Sequence, residues 1–169
     1  MNLKKIHLES ERLRLVPIEE KYANEIYTEF TPEVTQYMFP KPAENIEETL
    51  GFIHSALQGL EQGNNLQMVI VLKNTEEFIG CIGLHDIDTQ APEVGIWTKK
   101  SSHGHSYGFE AGTAIIQWAF DHLACDHLVY PVDRRNIASR RIPARHGGKI
   151  MKEYKKINAK GFELDEYEY

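Results

Sequence analysis

The chain has 169 residues, of which 41% are hydrophobic and 26% are charged, and its formal net charge is −6 at pH 7. This balance predicts a single globular domain over residues 1–169, and the acidic charge disfavours nucleic-acid binding, which needs basic surface. Because no apolar run approaches the roughly 20 residues of a membrane span and no signal-peptide hydrophobic region follows Met1, we expect no membrane partner and a cytoplasmic location.

The first half of the chain mixes strand-like and helix-like segments. Residues 13–17 alternate apolar and polar side chains and end at a proline, which predicts a half-buried first strand. Residues 18–30 carry apolar side chains at helical spacing, which predicts a helix. A second helix is predicted over residues 47–61, where apolar side chains recur on one face. Residues 31–46 contain three prolines, so a loop or broken helix is expected there.

The second half continues with short strands. Residues 66–72 and 78–85 form strand-like runs joined by a short polar turn, which predicts a hairpin. A further strand carries Glu93 and Trp97. The hairpin and this strand favour an antiparallel sheet.

The remaining elements complete the predicted fold class. A helix is predicted over residues 109–123, a short strand over residues 128–132, and two weak strands within residues 149–169. This order predicts an α+β domain with a twisted, mostly antiparallel mixed sheet and about four helices. Cys81 and Cys125 lack the spacing of a metal or redox motif, so both are interpreted as structural.

The junction between a strand and a helix is the most informative segment. Residues 92–98 read as a strand, and residues 103–111 read as a glycine-containing loop that opens a helix. Such a junction leaves backbone N–H groups without intrahelical acceptors, and the helix dipole adds partial positive charge. These features favour a bound phosphate or pyrophosphate, and therefore a phosphate-bearing cofactor.

This segment resembles motif A of the GCN5-related N-acetyltransferases (GNAT), whose glycine-rich loop wraps the pyrophosphate of acetyl-coenzyme A (acetyl-CoA). It is most similar to the ribosomal-protein-alanine (Rim-type) branch, with matching residues at Glu93, Gly95, Trp97, Gly104, Tyr107, Glu110 and Ala111. Residues 8–13 resemble the start of the same branch. The resemblance implies the GNAT fold, acetyl-CoA as co-substrate, no metal, and direct acetyl transfer to a primary amine.

The sequence departs from the family pattern in three places. His103 stands where the family usually has Gln, Arg or Trp, and Ser106 replaces the central glycine. Serine tolerates a positive φ poorly, and its Cβ crowds a close backbone approach, so this position bears on cofactor affinity. Pro143 interrupts the segment where the family continues its last helix, so that helix is expected to be short or kinked.

The resemblance implies cofactor contacts along the strand and the loop. The expected cofactor-binding residues are Ile96, Trp97, Thr98, His103, Gly104, His105, Ser106, Tyr107, Gly108 and Asn136. The strand residues would hold pantetheine, and the loop N–H groups would hold the pyrophosphate. The alternatives are that the glycines only form a tight turn, and that Asn136 only caps the final helix.

Two residues are the candidates for catalysis. Glu93 is expected to act as general base, directly or through water, and this requires a raised pKa or a relay. The alternative is that Glu93 pairs with a basic residue on a neighbouring strand. Ser139 follows Asn136 in an Asn-x-x-Ser pattern, and the resemblance implies that it protonates the departing thiolate.

Other polar residues have alternative interpretations. His85 and Asp86 could share the cleft with Glu93, but a polar turn is the favoured interpretation of this pair. The His-x-His pair at His103 and His105 lacks further ligands in sequence, so no metal site is expected.

The expected function is acetylation of a primary amine without a covalent enzyme intermediate. The Rim-type resemblance points to a protein N-terminal amine as acceptor. A small cationic amine is the first alternative, and a non-catalytic acetyl-CoA sensor or scaffold is another. A nucleotide-binding protein is disfavoured because no Lys-Ser/Thr pair follows the glycines. Either a monomer or a homodimer is compatible with the sequence.

Overall fold

The computed structural model describes residues 2–169, and its larger sheet has five antiparallel strands. These strands are β1 (Leu8–Glu9), β2 (Leu13–Pro17), β3 (Leu66–Leu72), β4 (Phe78–His85) and β5 (Glu93–Thr98), and they are ordered as in the chain. Strand β3 is almost wholly buried because helices cover both faces of the sheet centre. Strand β5 forms one edge of this sheet.

The smaller sheet has three strands and lies beside β5. Its strands are β6 (Pro131–Asp133), β7 (Lys152–Ile157) and β8 (Glu163–Glu168), in the order β6-β8-β7. The two sheets join through one parallel bridge, in which the Val94 N–H donates to the Val129 carbonyl and the Val129 N–H donates to the Pro92 carbonyl, both at 2.8 Å. Past this bridge, the described residues show no further pairing between β5 and β6, so a gap opens along the rest of β5.

Four α-helices pack around the sheets. They are α1 (Ala23–Glu29), α2 (Ile46–Gln62), α3 (Tyr107–His122) and α4 (Ile137–Arg145). Helix α2 begins where the Asn45 side chain accepts a hydrogen bond from the Glu48 N–H at 3.0 Å, and it ends at Gly63, whose φ is 77°. Helix α3 comes after β5 in the chain, and its first turn packs against that strand.

The fold confirms the α+β class, and the two central hairpin strands have the predicted bounds. Helix α1 is shorter than the predicted helix over residues 18–30, because the Ile18 N–H still donates to the Gln67 carbonyl at 3.1 Å. A 3₁₀ turn at Glu20–Tyr22 then leads into the helix. Strand β6 starts later than predicted over residues 128–132. Its pairing with β8 begins at Pro131, because the backbone hydrogen bonds of Val129 and Tyr130 go to residues outside β8.

The last helix is short, as Pro143 predicted. Helix α4 has nine residues and contains this proline, whose missing N–H removes one intrahelical bond. Cys81 is buried and Cys125 is half-buried, and both thiols are free. Within residues 2–169, no helix has both the length and the apolar character required to cross a membrane.

Candidate functional site

Two cavities meet at the gap beside β5. The first, which we call the loop cavity, has a volume of about 380 Å³ and lies between β5, the loop at residues 102–106, and helices α3 and α4. The second, which we call the aromatic cavity, has a volume of about 480 Å³ and lies between β5, α1, α2 and residues 38–43. Both cavities are lined by Met38, Ile96, Trp97, Asn136 and Ser139.

The side-chain alternation of β5 separates the two cavities. A Cβ built on Gly108 of α3 would lie 3.7 Å from Ile96 Cδ1 and 4.0 Å from Thr98 Cγ2, so these side chains point towards the loop cavity. Trp97 points the other way, where its ring centroid lies 4.9 Å from that of Phe30. Glu93 shares the face of Trp97, because side chains two and four residues apart lie on the same side of a strand.

The exposed edge of β5 offers backbone groups to the gap. Backbone groups alternate sides along a strand, and the Val94 N–H already faces the smaller sheet. Ile96 and Thr98 therefore direct their N–H and C=O groups into the gap. Trp97 lies in register with Cys81 of β4 and directs its backbone groups to that strand.

The loop at the start of α3 presents a row of free donors. In the part of the chain that the structure describes, the N–H groups of residues 104–109 have no hydrogen-bond acceptor. Gly104 and Ser106 have φ values of 83° and 62°, and these positive values curve the loop. The His103 N–H is already used, because it donates to the Lys100 carbonyl at 3.1 Å.

The imidazole of His103 occupies part of the β5 edge. Its Nε2 atom lies 3.0 Å from the Thr98 carbonyl oxygen, within hydrogen-bond distance. The ring of His105 instead stacks on Tyr107, with centroids 5.3 Å apart. Among residues 2–169, no group of three or more His, Cys, Asp or Glu side chains is arranged to hold a metal ion.

The two cavities differ in charge. The loop cavity is lined by Arg141 and Arg145 of α4, and no acidic side chain among the described residues lines it. The aromatic cavity is lined by three glutamates and two lysines, which are Lys41, Glu48, Glu93, Lys156 and Glu166. A polyanion is therefore favoured in the loop cavity and a cation in the aromatic cavity.

Asn136 and Ser139 form the boundary between the cavities. The Asn136 side chain caps α4 by accepting a hydrogen bond from the Ser139 N–H at 3.2 Å, so its amide NH₂ group is left to donate. The Ser139 hydroxyl lies 2.8 Å from the Tyr130 hydroxyl. Burial raises the pKa of Tyr130 to about 12, so this phenol keeps its proton at neutral pH.

Glu93 and His85 face each other across β4 and β5 on the wall of the aromatic cavity. Gly95 makes room for the imidazole, since a Cβ there would lie 3.3 Å from His85 Nε2. Glu93 is exposed to the cavity, but desolvation by the surrounding protein raises its pKa. The positive charge of Lys156 lowers this pKa by a smaller amount. Burial lowers the pKa of His85, so its imidazole is neutral near pH 7.

The structure shows which of Glu93, His85 and Asp86 line the cleft and which belongs to a turn. Glu93 makes no ion pair within residues 2–169, although Lys156 is near enough to influence its pKa. Asp86 follows β4 in a turn with φ of 53°, and only His85 of this pair lines the cavity. His85 and Glu93 thus share the cleft, whereas Asp86 belongs to the turn.

The β7–β8 turn holds the loop that closes the aromatic cavity. The Asn158 side chain donates to the Met38 carbonyl at 3.3 Å, and the Ala159 N–H donates to the Phe39 carbonyl at 2.9 Å. The Lys160 ammonium donates to the Thr35 carbonyl at 2.6 Å, and Thr35 is fully buried. Three contacts from the end of the chain thus fix a wall built near its start.

Several residues of the site have no signal in the sequence. Tyr130 lies in a short apolar run, and its proximity to Ser139 depends on the path of β6 into α4. Arg141 and Arg145 lie one turn apart on α4, but the sequence does not show that this helix lies beside the loop. The β7–β8 turn reaches the cavity through contacts that span more than a hundred residues.

Comparison with known proteins agrees with this architecture. Residues 12–149 match the family model described as "Acetyltransferase (GNAT) domain". The chain therefore belongs to the GNAT acetyltransferase family, whose members take the acetyl group from acetyl-CoA. It is also 24% identical over 166 residues to the "Uncharacterized N-acetyltransferase YoaA" of Bacillus subtilis, covering 95% of this chain and 94% of that protein.

Solved structures share the same fold at low sequence identity. RimL, a ribosomal L7/L12 alpha-N-protein acetyltransferase in complex with coenzyme A, superposes with a TM-score of 0.84 at 16% identity, covering 97% of both chains. The microcin C7 self-immunity acetyltransferase MccE, in complex with acetyl-CoA and AMP, superposes with a TM-score of 0.82 at 20% identity, covering 94% of this chain and 91% of that one. The GNAT fold expected from the sequence is thus confirmed.

Proposed function

We propose that acetyl-CoA binds in the loop cavity and that a primary amine enters the aromatic cavity to receive the acetyl group. The free N–H groups of residues 104–109 and the two arginines of α4 bind the pyrophosphate and the other phosphate charges. The backbone groups of Ile96 and Thr98 bind pantetheine along the β5 edge. Asn136 donates its free amide to the same arm of the cofactor.

The reaction follows from the side chains where the cavities meet. Glu93 accepts a proton from the ammonium, and the neutral amine attacks the thioester carbonyl carbon to give a tetrahedral oxyanion. The attacking nitrogen gives up its second proton to water, and the C–S bond then breaks as the carbonyl re-forms, which yields the neutral N-acetyl product and the coenzyme A thiolate. Ser139 donates its hydroxyl proton to this thiolate and recovers one from Tyr130, which solvent later reprotonates.

The single observation that carries this proposal is the meeting of the two cavities at Asn136 and Ser139. A phosphate-binding, cationic cavity on one side and a carboxylate-bearing cavity on the other separate the cofactor from the amine. Only the boundary between them is accessible to both reactants. This arrangement favours direct transfer, because no nucleophilic relay is needed to span the distance between two separate sites.

The acceptor that the Rim-type resemblance supports is a protein N-terminal amine. RimL, which shares the fold, is an alpha-N-protein acetyltransferase. A free amine is the second candidate, and the cavity volume of about 480 Å³ supports it because small-molecule sites have comparable volumes. Both candidates present a primary ammonium to Glu93.

The first test measures cofactor binding and turnover together. Saturating acetyl-CoA should raise the midpoint of thermal unfolding by several degrees, because a ligand at about 100 times its dissociation constant adds roughly 2.7 kcal/mol, whereas ATP should not. Turnover is then followed by release of the coenzyme A thiol with a panel of primary amines. Absence of thiol release with every amine would contradict the proposed reaction.

The role of Glu93 is tested by Glu93→Gln, with His85→Gln as the matched control. The glutamine variant should lose at least about 100-fold in kcat with an unchanged acetyl-CoA dissociation constant, and the control should lose less than about tenfold. Because the base acts when deprotonated, kcat/KM of the parent should rise with pH through the raised pKa of Glu93. A larger loss in His85→Gln would assign the base to the imidazole.

A further inference from the structure

We infer that the acceptor is a monocationic amine attached to an aromatic or branched apolar body, an inference that rests on the proposed function. The shared chemistry is one ammonium group beside one apolar group of about the size of a phenyl ring. It could come from a free arylalkylamine or from the aromatic first residue of a polypeptide. The apolar walls of the aromatic cavity and the distribution of charge around Glu93 carry the inference.

The walls of the aromatic cavity are built from large rings contributed by separate segments. The rings belong to Tyr27, Phe30, Phe39, Phe52, Trp97 and Tyr130. Tyr27, Phe39 and Phe52 are 40%, 51% and 43% exposed although they line a concave surface. Large apolar side chains left exposed in a concavity indicate a site that buries an apolar ligand.

The charges around the cavity leave room for one ammonium group. Lys41 pairs with Glu44 at 2.5 Å, and Lys156 pairs with Glu166 at 2.9 Å, so each lysine is neutralised. The Glu48 carboxylate lies in the first turn of α2 and accepts a hydrogen bond from the Glu44 N–H at 3.0 Å. Glu48 and Glu93 are then the cavity carboxylates without an ion-pair partner among the residues that the structure describes, and of these two only Glu93 also lacks a hydrogen bond to its carboxylate.

A polyamine does not fit this distribution of charge. With its first ammonium at Glu93, a second ammonium would meet aromatic rings, one of the paired lysines, or the first turn of α2, where Glu48 is already hydrogen-bonded and the helix dipole opposes a cation. An ion stripped of water and left without a partner is strongly disfavoured in such a site. An aryl or branched alkyl group instead meets apolar surface on several sides.

The experiment compares kcat/KM for defined amines under saturating acetyl-CoA. The free-amine probes are 2-phenylethylamine, ethanolamine and spermidine, and the peptide probes are Phe-Gly-Gly and Ser-Gly-Gly. Burial of a phenyl ring should make 2-phenylethylamine at least about tenfold better than ethanolamine and spermidine, and Phe-Gly-Gly better than Ser-Gly-Gly by a similar factor. The ratio between the two phenyl-bearing probes distinguishes the free amine from the polypeptide as the source.

A pair of variants connects the preference to the cavity. Phe52→Ala removes one exposed ring of α2 and should lower kcat/KM for 2-phenylethylamine roughly tenfold, with little change for ethanolamine. Phe120→Ala is the matched control, because this phenylalanine of α3 is 56% exposed and lies outside the cavity lining. It should leave both values unchanged. Melting temperatures of both variants report whether each is folded.

The outcomes separate this inference from the proposed function. A preference for spermidine or ethanolamine, or a Phe52→Ala loss that is equal for all amines, would overturn the inference while acetyl transfer stands. Thiol release with none of the five probes would count against the proposed function itself and would overturn the inference with it. An aromatic preference that Phe52→Ala weakens, and that Phe120→Ala leaves intact, supports it.

Discussion

The loop cavity and the aromatic cavity share a boundary but are built in different ways. The loop cavity is formed mainly by backbone groups and side chains of residues 96–109, with α4 as its far wall. The aromatic cavity gathers residues from α1, α2, α4, six strands and the loop at residues 38–43. Local chain geometry determines the first cavity, whereas the second depends on how distant segments pack.

The largest effect should come from filling the loop cavity at Gly108. A Cβ there meets Ile96, Ile142 and Thr98 at ordinary contact distances of 3.7–4.0 Å, so a methyl group fits and an indole does not. Gly108→Trp should weaken acetyl-CoA binding by more than about 100-fold in calorimetry. Gly108→Ala is the control and should bind within a few-fold of the parent; similar affinities for all three proteins would place the cofactor elsewhere.

An intermediate effect is expected at the boundary between the cavities. Ser139→Ala removes the hydroxyl that lies 2.8 Å from Tyr130 and should lower kcat about tenfold, because a thiolate leaves readily even without an acid. Tyr130→Phe keeps the Ser139 hydroxyl and should have a smaller effect. The dissociation constant of acetyl-CoA should stay the same in both variants, and a larger loss in Tyr130→Phe would make the phenol the acid.

A smaller effect should be confined to the aromatic cavity. Lys160→Met removes the ammonium that binds the Thr35 carbonyl, so the loop at residues 31–45 should loosen. We expect KM for the amine to rise roughly fivefold while the acetyl-CoA dissociation constant is unchanged. Lys155→Met is the matched control, because this lysine pairs with Glu163 within the same hairpin and does not reach the loop. Equal effects of both substitutions would exclude a specific role for the turn.

The smallest effect concerns the backbone of the loop at residues 102–106. Ser106 has φ of 62° and ψ of 17°, a conformation that disfavours L residues by about 1–2 kcal/mol relative to glycine. Ser106→Gly relieves this strain and also removes the Cβ that would crowd a close approach of the cofactor, so it should tighten acetyl-CoA binding about threefold and leave KM for the amine unchanged. Ser106→Ala keeps the strain without the hydroxyl and should give no gain, so tighter binding in both variants would attribute the effect to the hydroxyl.

An ion pair joins the two distant stretches of sequence that resemble the same family. Glu110, in the first turn of α3, accepts hydrogen bonds from the Ser10 hydroxyl at 2.6 Å and from the Arg12 N–H at 2.7 Å. The Arg12 guanidinium completes the contact at 2.7 Å and also lies over the Tyr107 ring. The start of the chain thus buttresses the beginning of α3, next to the loop that carries the free N–H groups.

Several elements of the fold could be predicted because their sequence signals are local. Strands β2, β3 and β4 follow from side-chain alternation or from apolar runs bounded by turns, and the strand–loop–helix junction follows from its glycines and its family resemblance. The Asn136 cap is also a local signal, since a side chain bonds to an N–H three residues on. The short last helix followed in the same way from Pro143.

The lining of the aromatic cavity depends on contacts between distant segments. The aromatic walls, the paired lysines and the contact between Tyr130 and Ser139 join residues that no local pattern relates. Helix α1 was overestimated for the same reason, because a hydrogen bond from Ile18 to Gln67 competes with helix formation. Backbone geometry depends on a few neighbouring residues, whereas the environment of a side chain depends on segments brought together by folding. For this reason the strand–loop–helix junction of the loop cavity could be predicted from the sequence, and the walls of the aromatic cavity could not.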